Sequence, residues 1–157
     1  MRSVRNALAI VMLGFAVAAQ AQDKPCSKAD AAAAEKAIDR VMNWNQLHKA
    51  YNDYRHCDKD AVADTYTDAL LRLAVDWKNV DALASAMNDP GFKAFVHTHL
   101  RSPAAKDDRE AVYSRAKSNC PKNLDSFCAE LAEVVHEEAA KPLELMKPIE
   151  SGKRAPK

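Results

Sequence analysis

Glycine occurs only 3 times in 157 residues, and that scarcity limits what the chain can build. Tight turns and β-hairpins draw on glycine for backbone angles with positive φ, so a β-rich domain of this size would lack its turns. Gly14 falls in an N-terminal segment that reads as a leader, leaving two for the rest of the chain. Strong helix formers abound, as in the run Ala31-Ala32-Ala33-Ala34. No long strand-like alternation stands out. The expected class is all-α: a compact bundle of six to seven short helices stabilised by disulfides.

The helices can be placed by caps and apolar spacing. Ser27 with Asp30 three residues later reads as a capping box, opening a helix that should run to about Met42. Trp44, Leu47, Tyr51 and Tyr54 recur at helical spacing, as do Val62, Tyr66, Leu70, Leu73 and Trp77, the clearest stripe in the chain. Val80, Leu83 and Met87 mark a shorter helix. Asp89-Pro90 pairs a cap with proline at the first helical position. Phe92, Phe95, Val96 and Leu100 form the apolar face that follows, and Ser102-Pro103 breaks it. Asp107 with Glu110 predicts a further cap pair and a helix to about Ser118. Cys120-Pro121-Lys122-Asn123 is a turn, and Leu124, Phe127, Leu131, Val134 and Val135 line the last helix.

The N-terminus has three parts. Arg2 and Arg5 supply positive charge, an apolar run extends from about Ala7 to Ala18, and Ala19-Gln20-Ala21 offers the small residues a signal peptidase needs. The run is short of the roughly 20 residues that cross a bilayer. Cys26 follows Asp23-Lys24-Pro25, where a lipoprotein leader would carry small apolar residues. The expected organisation is a signal peptide over 1–21, a helical domain over 22–140, and a disordered Lys-rich tail over 141–157, punctuated by Pro142, Pro148, Gly152 and Pro156. The expected location is the periplasm, with no integral anchor after cleavage. Without Arg2 and Arg5, 21 basic residues face 22 acidic ones, a net charge of −1. That near-balance argues against nucleic acid and against general attraction to an anionic membrane.

All four cysteines, Cys26, Cys57, Cys120 and Cys128, lie beyond the leader. In an oxidising compartment two disulfides are the default. Three connectivities exist. Cys120 and Cys128 flank one turn and the start of one helix, so their bridge is easy. Cys26 and Cys57 would sit roughly 45 Å apart on one unbroken helix, against a limit of about 7 Å for a bridge. Either the chain folds back near Asn43-Trp44-Asn45 or the pairing differs; the fold-back, with Cys26–Cys57 and Cys120–Cys128, is favoured. The spacings lack the paired Cys-x-x-Cys of a structural zinc site or a thioredoxin-like motif.

A search for catalytic or metal chemistry finds none. His97 and His99 point to different helix faces, which predicts one packed and one semi-exposed ring. His48 and His56, eight apart on one predicted helix, are separated by two turns. Glu133 and His136 form Glu-x-x-His, half of a di-iron carboxylate site, with no second copy on another helix. There is no Gly-x-Ser-x-Gly elbow, no glycine-rich phosphate loop and no Cys-x-x-Cys-His for heme. Asp107-Asp108 and Glu137-Glu138 are neighbours that diverge on a helix and read as caps and solvated faces. Trp44, Tyr51, Tyr54, Tyr66 and Trp77 read as an aromatic core. No cofactor or metal is expected, and the chain is not expected to be an enzyme.

The segment WNQLHKAYNDYRHCDKDAVADTYTDALLRLAVDW, followed by FKAFVHTHL and the CP…C turn, resembles small, uncharacterised exported helical proteins of Gram-negative bacteria. Some of these are suspected to be immunity or inhibitor proteins acting beside secreted antibacterial toxins. The resemblance covers most of the mature chain, carries no catalytic motif, and implies a binding role. The expectation is a periplasmic protein that neutralises a toxin or hydrolase by protein–protein contact. The alternatives are a structural or accessory envelope protein, or a small-ligand carrier or unrecognised enzyme. Two charged segments are the candidate partner-binding edges. One is the corner Arg55 to Asp60, with Arg55, Asp58 and Asp60, which a bridge at Cys57 would pre-order. The other is the connection Arg101 to Arg109, with Arg101, Lys106, Asp108 and Arg109.

Overall fold

The computed structural model describes residues 24–140, with side chains to residue 136. The leader expected over 1–21 and the tail expected over 141–157 lie outside the described residues. Among the described residues the chain forms seven α-helices, two single 3-10 turns and no strand.

The expected capping box opens α1 (Lys28–Ile38): Ser27 Oγ accepts from the Asp30 N–H at 3.0 Å, and the Asp30 carboxylate accepts from the Ser27 N–H at 3.3 Å. The helix stops at Ile38 instead of running to Met42. Asn43 adopts the extended conformation of an N-cap and accepts from the Gln46 N–H at 3.0 Å to start α2 (Trp44–Tyr54), so the chain must leave α1 before it. Val41 stays buried across this turn, and the Arg72 guanidinium donates to its carbonyl at 3.0 Å. The fold-back lets the 3-10 turn Arg55–Cys57 reach the start of α1, where Cys26 and Cys57 are bridged with Cα atoms 4.9 Å apart.

The long stripe becomes α3 (Asp60–Asp76), burying Val62, Tyr66, Leu70 and Leu73, with Thr67 also inside. It packs against α1, α2, α5 and α6. Trp77 ends it in the left-handed conformation, φ 57°, a place glycine usually takes. Both indoles secure the turn that follows. Trp77 Nε1–H donates to the Asn119 carbonyl and Trp44 Nε1–H to the Lys78 carbonyl, each at 3.0 Å.

Next come α4 (Val80–Ala86) and α5 (Pro90–Arg101). Asp89 caps α5 through bonds from the Gly91 and Phe92 N–H groups at 2.8 and 3.3 Å. The 3-10 turn Pro103–Ala105 leads to α6 (Arg109–Ser118). Here the expected cap pair of Asp107 and Glu110 does not form. Asp108 holds the cap position with φ −93° and ψ −15°, and its side chain makes no capping bond. Its N–H is already committed to the Ala105 carbonyl at 3.2 Å, so the backbone is turned rather than extended, the geometry a capping side chain needs. α6 and α7 (Asp125–Ala140) pack as an antiparallel hairpin, with the Cys120–Cys128 bridge at the turn and Tyr113 against His136 further along. Of the expected aromatic core, Trp44, Tyr51 and Tyr66 are buried, while Tyr54 and Trp77 are half-buried against its edge; the Tyr66 hydroxyl donates to the Ala50 carbonyl at 2.8 Å.

Candidate functional groove

The two charged segments singled out in the sequence meet in space. Asp58, from the bridged corner, and Arg101, Ser102 and Pro103, from the end of α5, line one groove of about 520 Å³ with Asp64, Thr67 and His99. The corner is there because the Cys26–Cys57 bridge ties it to α1 and because the Asp58 N–H closes its turn on the Arg55 carbonyl at 3.1 Å. The end of α5 is there because Phe92, Phe95, Val96 and Leu100 fix that helix on α3.

At the floor of the groove lies a polar chain. His99 Nε2 is 3.2 Å from Asp58 Oδ2, and Nδ1 is 2.7 Å from Thr67 Oγ1, which is itself 2.9 Å from the Ala63 carbonyl. The order of carboxylate, imidazole and hydroxyl is that of a hydrolase triad, with the hydroxyl and the ring almost wholly enclosed. Thr67 is 2 % and His99 4 % exposed. The chain joins three segments; on the rim above it Asp64 is exposed, and Arg101 and Ser102 are half-buried.

The remaining candidate partner residues are dispersed. Arg55 is exposed, its guanidinium 5.7 Å from the Tyr51 ring centroid. Asp60, exposed with φ 50°, begins α3 beside the Cys26–Cys57 bridge. Lys106 is exposed after the 3-10 turn. Asp108 lines a second groove on the outer face of α3, with Asp68, Arg72, Asp76 and Arg115. Arg109 is only 9 % exposed and donates to the Arg101 carbonyl at 3.3 Å; it braces the connection from inside rather than offering its charge outward.

The histidines expected to matter little are nearly all paired with carboxylates. His48 faces Asp89 at 3.3 Å, His56 faces Asp30 at 3.9 Å, and His97 faces Glu130 at 2.9 Å. His56 does not continue the helix of His48, because α2 ends at Tyr54. Asp30 is held down to about 2, chiefly by its bond from Lys24 and then by those from Ser27. His97 is pushed below its usual value by burial, which outweighs the attraction of Glu130. Glu133 and His136 are both exposed on α7, and no group of three or more His, Cys, Asp or Glu among the described residues could hold a metal. No described helix is long and apolar enough to cross a membrane.

No family model, curated protein or solved structure matches this chain.

Sequence reading missed Thr67 as a partner of His99. A threonine beside Tyr66 on a stripe of Val62, Leu70 and Leu73 is the one available signal, since a buried hydroxyl must find a bond. Asp64 and Ser102 gave no signal, because their membership of the groove depends on how α5 lies on α3.

Proposed function

We propose that this is an exported, non-enzymatic binding protein that neutralises a secreted antibacterial toxin or hydrolase by seating part of it in the groove between the bridged corner and the end of α5. The observation that carries the reading is the convergence of Asp58 and Arg101 on one groove, although 43 positions separate them. The Cys26–Cys57 bridge supports it further. A corner held in place before binding loses little conformational freedom on association. The rim carries charge of both signs, Asp64 and Arg101, which suits a protein surface better than a polyanion. Two disulfides fit a chain that works in an oxidising compartment.

The test begins with any exported toxin encoded beside the gene. Co-production with the mature protein should protect sensitive cells, and purified mature protein should bind the toxin in solution. Asp64→Lys, at an exposed rim position, should slow association with the toxin and make binding more salt-sensitive while leaving the melting temperature unchanged; Arg101→Glu should do the same to binding, with its melting temperature measured alongside because Arg101 is half-buried and engaged within the fold. Arg55→Glu reports whether the contact extends over the outer side of the corner. Protection that survives both groove reversals would place the partner elsewhere. An absence of both protection and binding would leave a structural or accessory envelope role as the better account.

A further inference from the structure

The groove on the outer face of α3, about 560 Å³, differs in make-up from the surface around it. Leu71, buried, and Val75, half-buried, lie one turn apart on α3 and form its floor. Ala104 and Asp108, on the connection into α6, form one wall. Asp76 is paired with Lys78 at 3.0 Å, and the Arg72 guanidinium donates to the Val41 carbonyl. Among the described residues the groove's other two carboxylates, Asp68 and Asp108, have no ion pair. An apolar floor between unpaired carboxylates suits a segment that interleaves apolar and basic side chains.

The chain itself carries such a segment. Residues 141–157 hold 5 Lys and Arg against 2 Glu, a net +3, whereas residues 24–140 hold 16 Lys and Arg against 19 Asp and Glu, a net −3. Leu143, Leu145, Met146 and Ile149 interleave with Lys141, Lys147 and Lys153. Lys141 and Lys147 each precede a proline, which favours an extended backbone. The segment also starts in the right place. The Tyr113 and His136 rings, 5.6 Å apart, set the register of the α6–α7 hairpin. From His136 the helix continues to Ala140, about 6 Å further, which is level with the start of α6 and with Asp108. One helix diameter, about 10 Å, then separates the end of α7 from the groove, and about four extended residues span it. We propose that residues 141–157 cross the start of α6 and lie in this groove, with their apolar side chains on Leu71 and Val75 and with Lys141 and Lys147 facing Asp108 and Asp68. A tethered segment meets its groove at an effective concentration on the order of millimolar, so modest contacts hold it. The groove between the bridged corner and the end of α5 is built from other residues, so this docking is independent of the toxin reading.

Two measurements on the intact protein test it. Carbodiimide coupling joins a lysine only to a carboxylate it touches. Peptide mapping should recover Lys141 or Lys147 joined to Asp68 or Asp108. In an equal mixture of unlabelled and nitrogen-15-labelled protein, the joined peptides should carry one label state, which shows that both come from one chain. Joined peptides of mixed label would place a second copy in the groove and overturn the proposal, as would coupling of these lysines only to carboxylates elsewhere. The second measurement is methyl NMR. Replacing Leu143, Leu145, Met146 and Ile149 together by serine should shift the Leu71 and Val75 methyl resonances and abolish the cross-link. The methyls of Leu47 and Leu83, fully buried on α2 and α4, should stay where they are and so report an intact fold. Leu71 and Val75 resonances that do not move would overturn the docking whatever the cross-links show.

Discussion

Four of the five histidines stand within 4 Å of a carboxylate on another element: His48 with Asp89, His56 with Asp30, His97 with Glu130 and His99 with Asp58. Each such pair joins segments distant in sequence, and at His97 the packing also reaches the protonation of the ring. His97 gives the clearest sign. In an unfolded chain it titrates near 6.5, and burial depresses that in the fold. The unfolded state therefore binds the proton first as pH falls, and His97 subtracts stability as pH drops below about 6.5. His97→Gln should accordingly lose less of its melting temperature between pH 7 and pH 5 than wild type does. Parallel losses would mean that His97 is not the group responsible. The sequence placed His97 and His99 on different faces, and the more deeply packed of the two is His99, at 4 % exposed. Their carboxylate partners were not legible, because Glu130 and Asp58 lie 33 and 41 positions away. Contact over such distances depends on helix rotation, not on local pattern.

At the ends of the helices, the shortage of glycine takes effect. Among the described residues the left-handed positions are held by Asp60, Trp77, Asn79 and Asn123, with φ between 50° and 74°. Asparagine and aspartate tolerate that conformation; a tryptophan does not do so readily. Trp77 is kept there by its indole bond to Asn119 and by packing against the core. Asn79 is exposed and makes no capping bond with its side chain, so its contribution is conformational. Asn79→Ala should cost about 1 kcal/mol and Asn79→Gly much less, measured by denaturant unfolding. Equal costs would show that the backbone angle is not what the residue supplies. The same ends show where sequence reading works. Ser27 with Asp30, and Asp89 with Pro90, are complete local signals, and both helices start as expected. The end of α1 and the start of α6 were misplaced. Val41 remains apolar after the helix has stopped, and Asp108 is already engaged in a preceding turn. Neither fact is visible in residue type.

On the scale of the whole molecule, an N-terminal hairpin of α1 and α2 and a C-terminal hairpin of α6 and α7 are each closed by one bridge, and α3 and α5 lie between them. The all-helical class was legible from glycine scarcity along the whole chain and the Cys120–Cys128 bridge from its short spacing, whereas Cys26–Cys57 was favoured among alternatives and depended on the fold-back before Trp44. The groove was not, because it depends on the crossing of α3 and α5. The two bridges also differ in what they constrain. Loop-closure entropy gives about 3.7 kcal/mol for a separation of 31 residues and about 2.5 kcal/mol for 8. Replacing Cys26 and Cys57 together by alanine should therefore lower stability more than replacing Cys120 and Cys128, as read from chemical unfolding; the reverse order would show that native packing, not chain entropy, dominates. The cysteines pair first with second and third with fourth. On a chain delivered N-terminus first into an oxidising space, each thiol's correct mate is the next one to arrive. An oxidant that joins thiols in order of appearance makes the native set directly, and nothing has to be reshuffled. Yield of the folded protein should then depend on the cell's disulfide-forming oxidase and be indifferent to loss of its isomerase.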